Sequence, residues 1–574
     1  MATSEWNPQA GSFLRHARLI GGITLLSRLV GLAREMVAFR LFGDTGVWAA
    51  WKVAFTVPNL FRKLLGEGAL ASAFVPLYAR QVEQDERGAS AFATAPEFTR
   101  AGLTLLFWVL LAVTVVGEGV LLAILWLVEL SPNNQLVLRF SIVMLPYVTL
   151  VCLTAFLSGV LQVHHRFGAA AMTSVVLNVC LILIIIAAAI RYDLDDPAQQ
   201  VSAAYLLSAG VLVAGIVQAG ILVPSLRRVG FRFRLARRFW TPLVRRMVIL
   251  TGPLALGAGV LQIGVMLDKG IAQFLAEQPG YTTFRLSGHE VRFPIAEGAA
   301  ARLDLAQFMY QFPLGVFAIA LGTAIFPLLG RTGAEPRSDA FRDALRRGVE
   351  ASLFIGLPAS AGMILVADPA IRLLFVGGRF SSESAGWVAQ STAIYSGAIW
   401  AFSMLHIINR GFYSLEDTRT PLIWTSINLL MNLVIELPLL WTPLRESGMA
   451  VGTLVSFSIQ AVAMLWVLDR RVGGLGLAQL SGRAGRMLAA TLVMTAVGVA
   501  LWLTPWFSSS GGRSDHAIRL VTLMVVCAGV YFASCRLMGL DVMRLVPRRR
   551  GGEAAAAESR RPQESTPVDP DMPA

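Results

Sequence analysis

Apolar runs of roughly twenty residues, the length a helix needs to cross a bilayer, recur from near residue 20 to beyond residue 530. Inside hydrocarbon every backbone polar group needs an internal partner, so such runs fold as helices or as strands of a closed barrel. Here the runs are continuous and do not alternate, which excludes the barrel. Only 15% of the 574 residues are charged, against about 25% in soluble domains. The chain is therefore read as an all-α polytopic membrane protein. About fourteen transmembrane helices are expected, centred near residues 30, 58, 114, 148, 179, 212, 259, 316, 356, 398, 430, 459, 495 and 526.

Alternate connections are rich in arginine: HHRF at 164–167, RRVGFRFRLARRFW at 227–240, RTGAEPRSDAFRDALRR at 331–347 and DRRVGG at 469–474. Those between them are short or acidic, as in RYDLDDP at 191–197 and SPNN at 131–134. Excess arginine and lysine mark the cytoplasmic side. An even number of crossings then places both termini in the cytoplasm, and the net charge of +13 is chiefly topological. Nucleic acid is not an expected partner. The four cysteines, Cys152, Cys180, Cys527 and Cys535, lie in apolar segments without metal or disulfide spacing and read as buried thiols. No cleavable signal peptide is evident.

Two halves of the chain echo each other. Pro58 with FVPLYAR at 74–80 resembles Pro313 with IFPLLGR at 325–331, and HRFGAAAMTSVVLN at 165–178 resembles DTRTPLIWTSINLL at 417–430. The offset of roughly 250 residues equals six crossings, and repeats with a site at their interface are typical of secondary transporters. The expected organisation is an N-terminal lobe over 1–228, a C-terminal lobe over 229–475, and two further helices over 476–545. A β-hairpin is expected near 276–300, from the alternating runs around Ser-Gly-His-Glu in YTTFRLSGHEVRFPI. A disordered cytoplasmic tail is expected over 546–574.

The first two crossings carry charge, which costs about 2.5–3.5 kcal/mol per residue at the centre of a membrane helix. At about 100° per residue, Thr24, Ser27, Arg28, Gly31, Arg34 and Glu35 fall within one wedge of about 120°. Arg40, outside it, is expected to snorkel from the helix end. In the second crossing Lys52, Thr56, Asn59, Lys63, Gly66 and Glu67 share a face, with Arg62 flanking it. Five cations, Arg28, Arg34, Lys52, Arg62 and Lys63, outnumber Glu35 and Glu67. This balance predicts a hydrated cationic cavity suited to an anion, and guanidinium groups match phosphate bidentately. Elsewhere Asp268 and Lys269 lie in the seventh crossing, while Asn428, Asn432 and Glu436 line one face of the eleventh. Asp268 with the asparagines offers oxygens to a monovalent cation, and a neutral hydrogen-bonded helix contact is the alternative. There is no Walker loop, HExxH or nucleophile elbow, so the chain is read as a non-enzyme. Without an ATPase motif, transport runs on ion gradients, membrane potential or a partner.

SRLVGLARE (27–35), VPNLFRKLLGEGALASAFVPLY (57–78), YQFPLGVFAIALGTAIFP (310–327) and FYSLEDTRTP (412–421) resemble the lipid II flippases of bacterial peptidoglycan synthesis (MurJ, also called MviN). The resemblance covers about residues 15–540. It implies the multidrug/oligosaccharidyl-lipid/polysaccharide exporter superfamily, with two six-helix lobes and an added helix pair forming a groove for the lipid tail. The implied activity, in the bacterial inner membrane, moves undecaprenyl-diphosphate-linked disaccharide-pentapeptide to the outer leaflet by alternating access. Arg28, Arg34 and Arg62 match the family's cavity arginines and Glu67 its acidic position. Asp268 matches an acid linked to sodium, with Asn428, Asn432 and Thr453 as looser matches. The sequence departs from the family at Ala49 and Thr56, the latter with Lys52 one turn away, and at Phe308, which replaces an arginine. Arg302 lies about 9 Å from Phe308 along a helix and does not substitute for it. The resemblance leaves open a flippase for another polyprenyl-diphosphate glycan, or a non-transporting scaffold for cell-wall synthesis, elongation or division proteins. A cationic cavity disfavours a drug or cation antiporter.

Overall fold

The computed structural model of the chain describes residues 8–66, 69–88, 94–286, 289–332, 338–508 and 513–540. Glu67, the hairpin tip at 287–288 and the tail at 546–574 lie outside them. In order the chain forms α1 (Pro8–Phe42), α2 (Gly46–Phe61), a π-helical turn (Arg62–Gly66), α3 (Ala69–Glu86), α4 (Ala95–Leu127), α5 (Pro132–Met144), α6 (Tyr147–Val163), α7 (Phe167–Arg191) and α8 (Pro197–Arg228). Then come α9 (Pro242–Phe274), β1 (Thr283–Leu286), β2 (His289–Arg292), α10 (Ala299–Thr332), α11 (Asp339–Phe375), α12 (Ser382–Ser396) and α13 (Ile399–Ser414). The chain closes with α14 (Arg419–Leu440), α15 (Ser447–Val472), α16 (Leu477–Trp502), α17 (Pro505–Ser508) and α18 (Arg513–Leu537).

Eight of these helices are individually long and apolar enough to cross a membrane, and ten crossings result when the bent pairs α5–α6 and α12–α13 each count as one. α1, the interrupted α2–α3, α9 and α10 are of comparable length, which accommodates the expected fourteen. Many side chains face outward with no protein cover, among them Trp108, Val116, Leu183, Ile190, Val434 and Leu537. Water would penalise that surface at about 25 cal/mol per Å², whereas lipid would not.

Helix ends are set by local chemistry. Thr45 caps α2 by accepting from the Trp48 amide at 3.3 Å, and Asp196 caps α8 by accepting from Ala198 at 2.9 Å. Proline opens α5, α8 and α9, where its missing N–H costs nothing. The α5–α6 pass bends by 47° at Leu145–Pro146, where Pro146 has no N–H to continue the helical ladder. Pro58 lies inside α2, which gives way to the π turn three residues after it.

α1 to α8 pack mainly among themselves, as do α10 to α15, α9 lies between the two groups, and α16 and α18 pair and lean on α11. α2 and α3 touch α9, and α2 touches α10, across the boundary between the two bundles. The hairpin forms as expected: β1 and β2 are antiparallel, with Leu286 opposite His289. It sits at one end of the molecule, here termed the hairpin end. There Arg302 donates to Glu446 through Nε and Nη2, both at 2.6 Å, and to Asp44 through Nη1 at 2.6 Å. The Gly46 amide donates to Glu297 at 3.0 Å, and the Arg379 amide donates to the Arg40 carbonyl at 2.9 Å. Arg40 does not snorkel. Its Nη2 donates to the Leu374 carbonyl at 2.7 Å, inside the contact between the bundles.

Candidate functional site

Below the closed hairpin end lies a cavity of about 830 Å³ between α1, α2, α6, α7, α8 and α10. It reaches Gln162 and Phe167, which flank the arginine-bearing turn between α6 and α7. Thr24, Ser27, Arg28, Gly31 and Arg34 from α1 line it, five of the six residues of the wedge derived from helical periodicity, with Glu35 the exception. α2 contributes Phe55 and Asn59, and Arg62 opens the π turn beyond them. The Arg62 guanidinium is steered by Asn59, whose side-chain oxygen accepts from Nε at 3.0 Å and Nη2 at 2.8 Å. Arg28 extends toward the facing wall, where Nη1 donates to the carbonyls of Gln311 and Phe312 at 3.3 and 3.4 Å. Gly315 leaves room for it, since a Cβ there would fall 1.8 Å from Arg28 Nη2.

The walls differ in character. The α1–α2 side carries three guanidiniums, whereas α10 contributes Phe308, Gln311 and Phe312. Phe308 therefore lies where an opposing cation would complete a ring of charge.

Lys52 and Glu35 share helix faces with cavity residues but do not line the cavity. Both are buried, at 5% and 2% exposure, one level nearer the hairpin end. Lys52 Nζ lies 2.6 Å from Glu35 Oε2 and 2.8 Å from Asp304 Oδ2 of α10. Glu35 also pairs with Arg34, and Asp304 with Lys269 of α9, whose Nζ donates to Thr56 Oγ1 at 3.2 Å. Arg34 thus belongs to both the cavity wall and the ion-pair chain. Lys63 is not among the lining residues, and Glu67 lies outside the described residues. Sequence reasoning missed Asp304, although a carboxylate in the apolar stretch ARLDLAQF was a visible signal.

A second polar cluster joins α9, α14 and α15. Asn432 Nδ2 donates to Asp268 Oδ1 at 3.2 Å and to Glu436 Oε2 at 2.9 Å, and Thr453 Oγ1 donates to Asn432 Oδ1 at 3.5 Å. Asn428 is buried one turn away, and neither its Nδ2 nor Glu436 Oε1 has a hydrogen-bond partner among the described residues. No cluster of three or more His, Cys, Asp or Glu suited to a metal occurs among the described residues. The cluster thus brings two carboxylates together with amide and hydroxyl oxygens, and one of the carboxylate oxygens has no hydrogen-bond partner among the described residues.

Outside the crossings, local chemistry fixes two turns. Burial pushes the His164 imidazole below its usual pKa, and the Tyr78 hydroxyl lies 2.9 Å from its Nε2. Partial burial raises the Asp417 carboxyl, but bonds from the Thr420 hydroxyl and amide outweigh it and hold the group below its ordinary value. Asp417 thereby caps the start of α14, which accounts for the acid within the stretch SLEDTRTP. The four cysteines are free thiols, three buried and Cys180 half-buried.

The model for the family described as "Lipid II flippase MurJ" matches residues 39–522. A "Probable lipid II flippase MurJ" from Rhizobium meliloti (strain 1021) is 33% identical over 558 residues, covering 95% of this chain and 98% of the relative. A "Lipid II flippase MurJ" from Burkholderia cenocepacia is 26% identical over 536 residues, covering 91% and 96%. Among solved structures, "Lipid II flippase MurJ, inward closed conformation" superposes with a TM-score of 0.70 at 18% identity, covering 92% of this chain and all of that one. Inward- and outward-facing structures of a MATE family transporter of the MOP superfamily reach TM-scores of 0.61 and 0.52, at 14% and 16% identity. They cover 80% and 81% of this chain, and 98% and 96% of their own.

Proposed function

Because this chain belongs to the lipid II flippase MurJ family, we propose that its arginine-lined cavity receives the diphosphate of a polyprenyl-linked peptidoglycan precursor. The protein is a multi-pass protein of the bacterial inner membrane, in a family of transporters. The observation carrying the proposal is the convergence of Arg28, Arg34 and Arg62 on one cavity between the bundles. Charged groups in a membrane segment persist only where they face protein or water. Three guanidiniums on one wall match the geometry of a diphosphate.

In this reading the positive-inside rule sets the basic connections, the cavity mouth near Phe167 and both termini in the cytoplasm, with the hairpin end outside. The polyprenyl tail stays in lipid, with α16 and α18 as its groove. Arg28 and Arg62 hold the diphosphate, and Arg34 shares it with Glu35. Parting of the bundles at the hairpin end then carries the head outward. An inside-negative potential favours moving an anion that way by about 2.3 kcal/mol per charge per 100 mV. Sodium at Asp268, Asn432, Glu436 and Thr453, with Asn428 adjacent, is a second source of drive, supported by the unpaired buried oxygen of Glu436.

The test is the leaflet distribution of lipid II in cells depleted of the protein. Precursor accumulates on the cytoplasmic side, wild-type protein restores export, and Arg28→Ala or Arg62→Ala does not. Unchanged distribution on depletion, or full rescue by both variants, rejects transport and leaves a scaffolding role.

A further inference from the structure

The cavity-lining face of α2 does not stop where the cavity ends. Taking about 100° per residue, Phe55, Trp51 and Trp48 fall within about 60° of one another, on the face that also carries Asn59. Phe55 lines the cavity. Above it the rings form a continuous ladder: Phe55 on Trp51 at 5.1 Å and 12°, Trp51 on Trp48 at 5.0 Å and 3°, Trp48 on Phe42 at 5.1 Å and 25°. From Phe55 to Trp48 it climbs about 10 Å along the helix. Its top reaches the place where the bundles meet, because Phe39 packs edge-on against Trp48, Phe375 and Phe380. Trp48 and Trp51 are 2% and 3% exposed, yet neither indole N–H has a hydrogen-bond partner among the described residues. Buried indoles ordinarily find one. Lys52 Nζ lies 5.4 Å from the Trp48 ring centroid, a contact that engages the ring but leaves both indole donors unmet.

We propose that Phe55, Trp51 and Trp48 form a contact track for the sugars of the cargo, covered in this state and uncovered when the bundles part at the hairpin end. Because the rings stack on one another, the ladder offers the sugars its edge: hydroxyls accept from the two indole N–H groups, and the C–H face of a pyranose packs on Phe55, the ring that lines the cavity. The ligand class is thus a carbohydrate, distinct from the diphosphate held by the arginines, and the proposal rests on the flippase reading above.

The test uses the full-length protein in membranes holding lipid II radiolabelled in its sugars. A benzophenone side chain is installed in place of Phe55, Trp51 or Trp48, or of Phe140 in the N-terminal core as a control. Light-dependent sugar-labelled adducts are expected at the first three positions and not at the fourth. Adducts at Phe55 alone overturn the track and leave the flippase reading standing. Failure of the wild-type protein to move lipid II, with no adduct at any position, overturns the flippase reading itself. A ring series adds a readout that does not need the bulky probe, compared at a temperature where each variant stays folded. Trp51→Leu slows lipid II movement about tenfold, and Trp51→Phe, which keeps a ring but loses the N–H donor, slows it by an intermediate factor of about threefold to fivefold. Wild-type turnover in Trp51→Leu rejects the proposal.

Discussion

Lys52 Nζ in α2 lies 2.8 Å from Asp304 Oδ2 in α10, a contact between residues 252 positions apart that ties one bundle to the other. The chain of pairs around it holds three cations, Arg34, Lys52 and Lys269, and two carboxylates, Glu35 and Asp304. Removing Lys52 therefore leaves two matched pairs, while neutralising Asp304 leaves three cations on one carboxylate. Asp304→Asn is expected to destabilise the protein by about 3–5 kcal/mol, the cost of an unpaired buried charge. Lys52→Met is expected to cost about 1.5–3 kcal/mol, the worth of charge-assisted bonds alone. Thermal unfolding in lipid measures both, and equal losses would contradict this charge count.

That network also marks the limit of what the sequence discloses. Helical periodicity identifies faces, which is why Thr24, Ser27, Arg28, Gly31 and Arg34 were legible as one wall, and why the hairpin over Thr283–Arg292 was legible from alternation. Periodicity does not give depth along the helix axis. Lys52 and Asn59 share a face, but Lys52 lies nearly two turns closer to the hairpin end, where α10 closes over it. Its partner Asp304 is remote in sequence, so assigning Lys52 and Glu35 to the cavity followed from angle alone. Arg40 was misread for the same reason: its position near a helix end gave no sign of Leu374 across the interface.

At the hairpin end, Arg302 binds Glu446 through two nitrogens and Asp44 through a third. A lysine cannot reproduce that planar fork. Arg302→Lys is expected to loosen the closed end, and Arg302→Met to strand two carboxylates at a cost of about 3–5 kcal/mol. Labelling of a cysteine introduced at Asn133 by an impermeant thiol reagent reads the opening. Increased labelling in Arg302→Lys, and more in Arg302→Met, is the expected order; no change in either would show that Arg302 does not hold this end shut.

Asp268, Asn432, Glu436 and Thr453 converge through hydrogen bonds that join α9, α14 and α15, and one oxygen of Glu436 has no hydrogen-bond partner among the described residues. A bound sodium ion would stabilise the fold by about 2.7 kcal/mol at a concentration one hundred times its dissociation constant. The wild type is expected to melt higher in sodium than in potassium at equal ionic strength, and Asp268→Asn or Thr453→Val is expected to abolish the difference. Equal melting of the wild type in the two salts would identify the cluster as a hydrogen-bonded helix contact.

Phe308 faces the arginine wall from α10, where it gives the anion no counter-charge. Phe308→Arg places a guanidinium opposite Arg28, Arg34 and Arg62, and a charge-assisted bond of about 1.5–3 kcal/mol converts to about tenfold or more in affinity for a diphosphate. The gain is spent equally on bound head groups before and after the bundles move, so it slows release and does not speed passage. Tighter competition by inorganic pyrophosphate, together with unchanged or lower lipid II turnover, is the expected pair of results. Phe308→Ala separates charge from shape: with the arginines untouched, pyrophosphate competition should stay at its wild-type value. Should Phe308→Arg leave that competition unaltered, the head group would be held too far from α10 for this wall to sense it, and the three arginines would act alone.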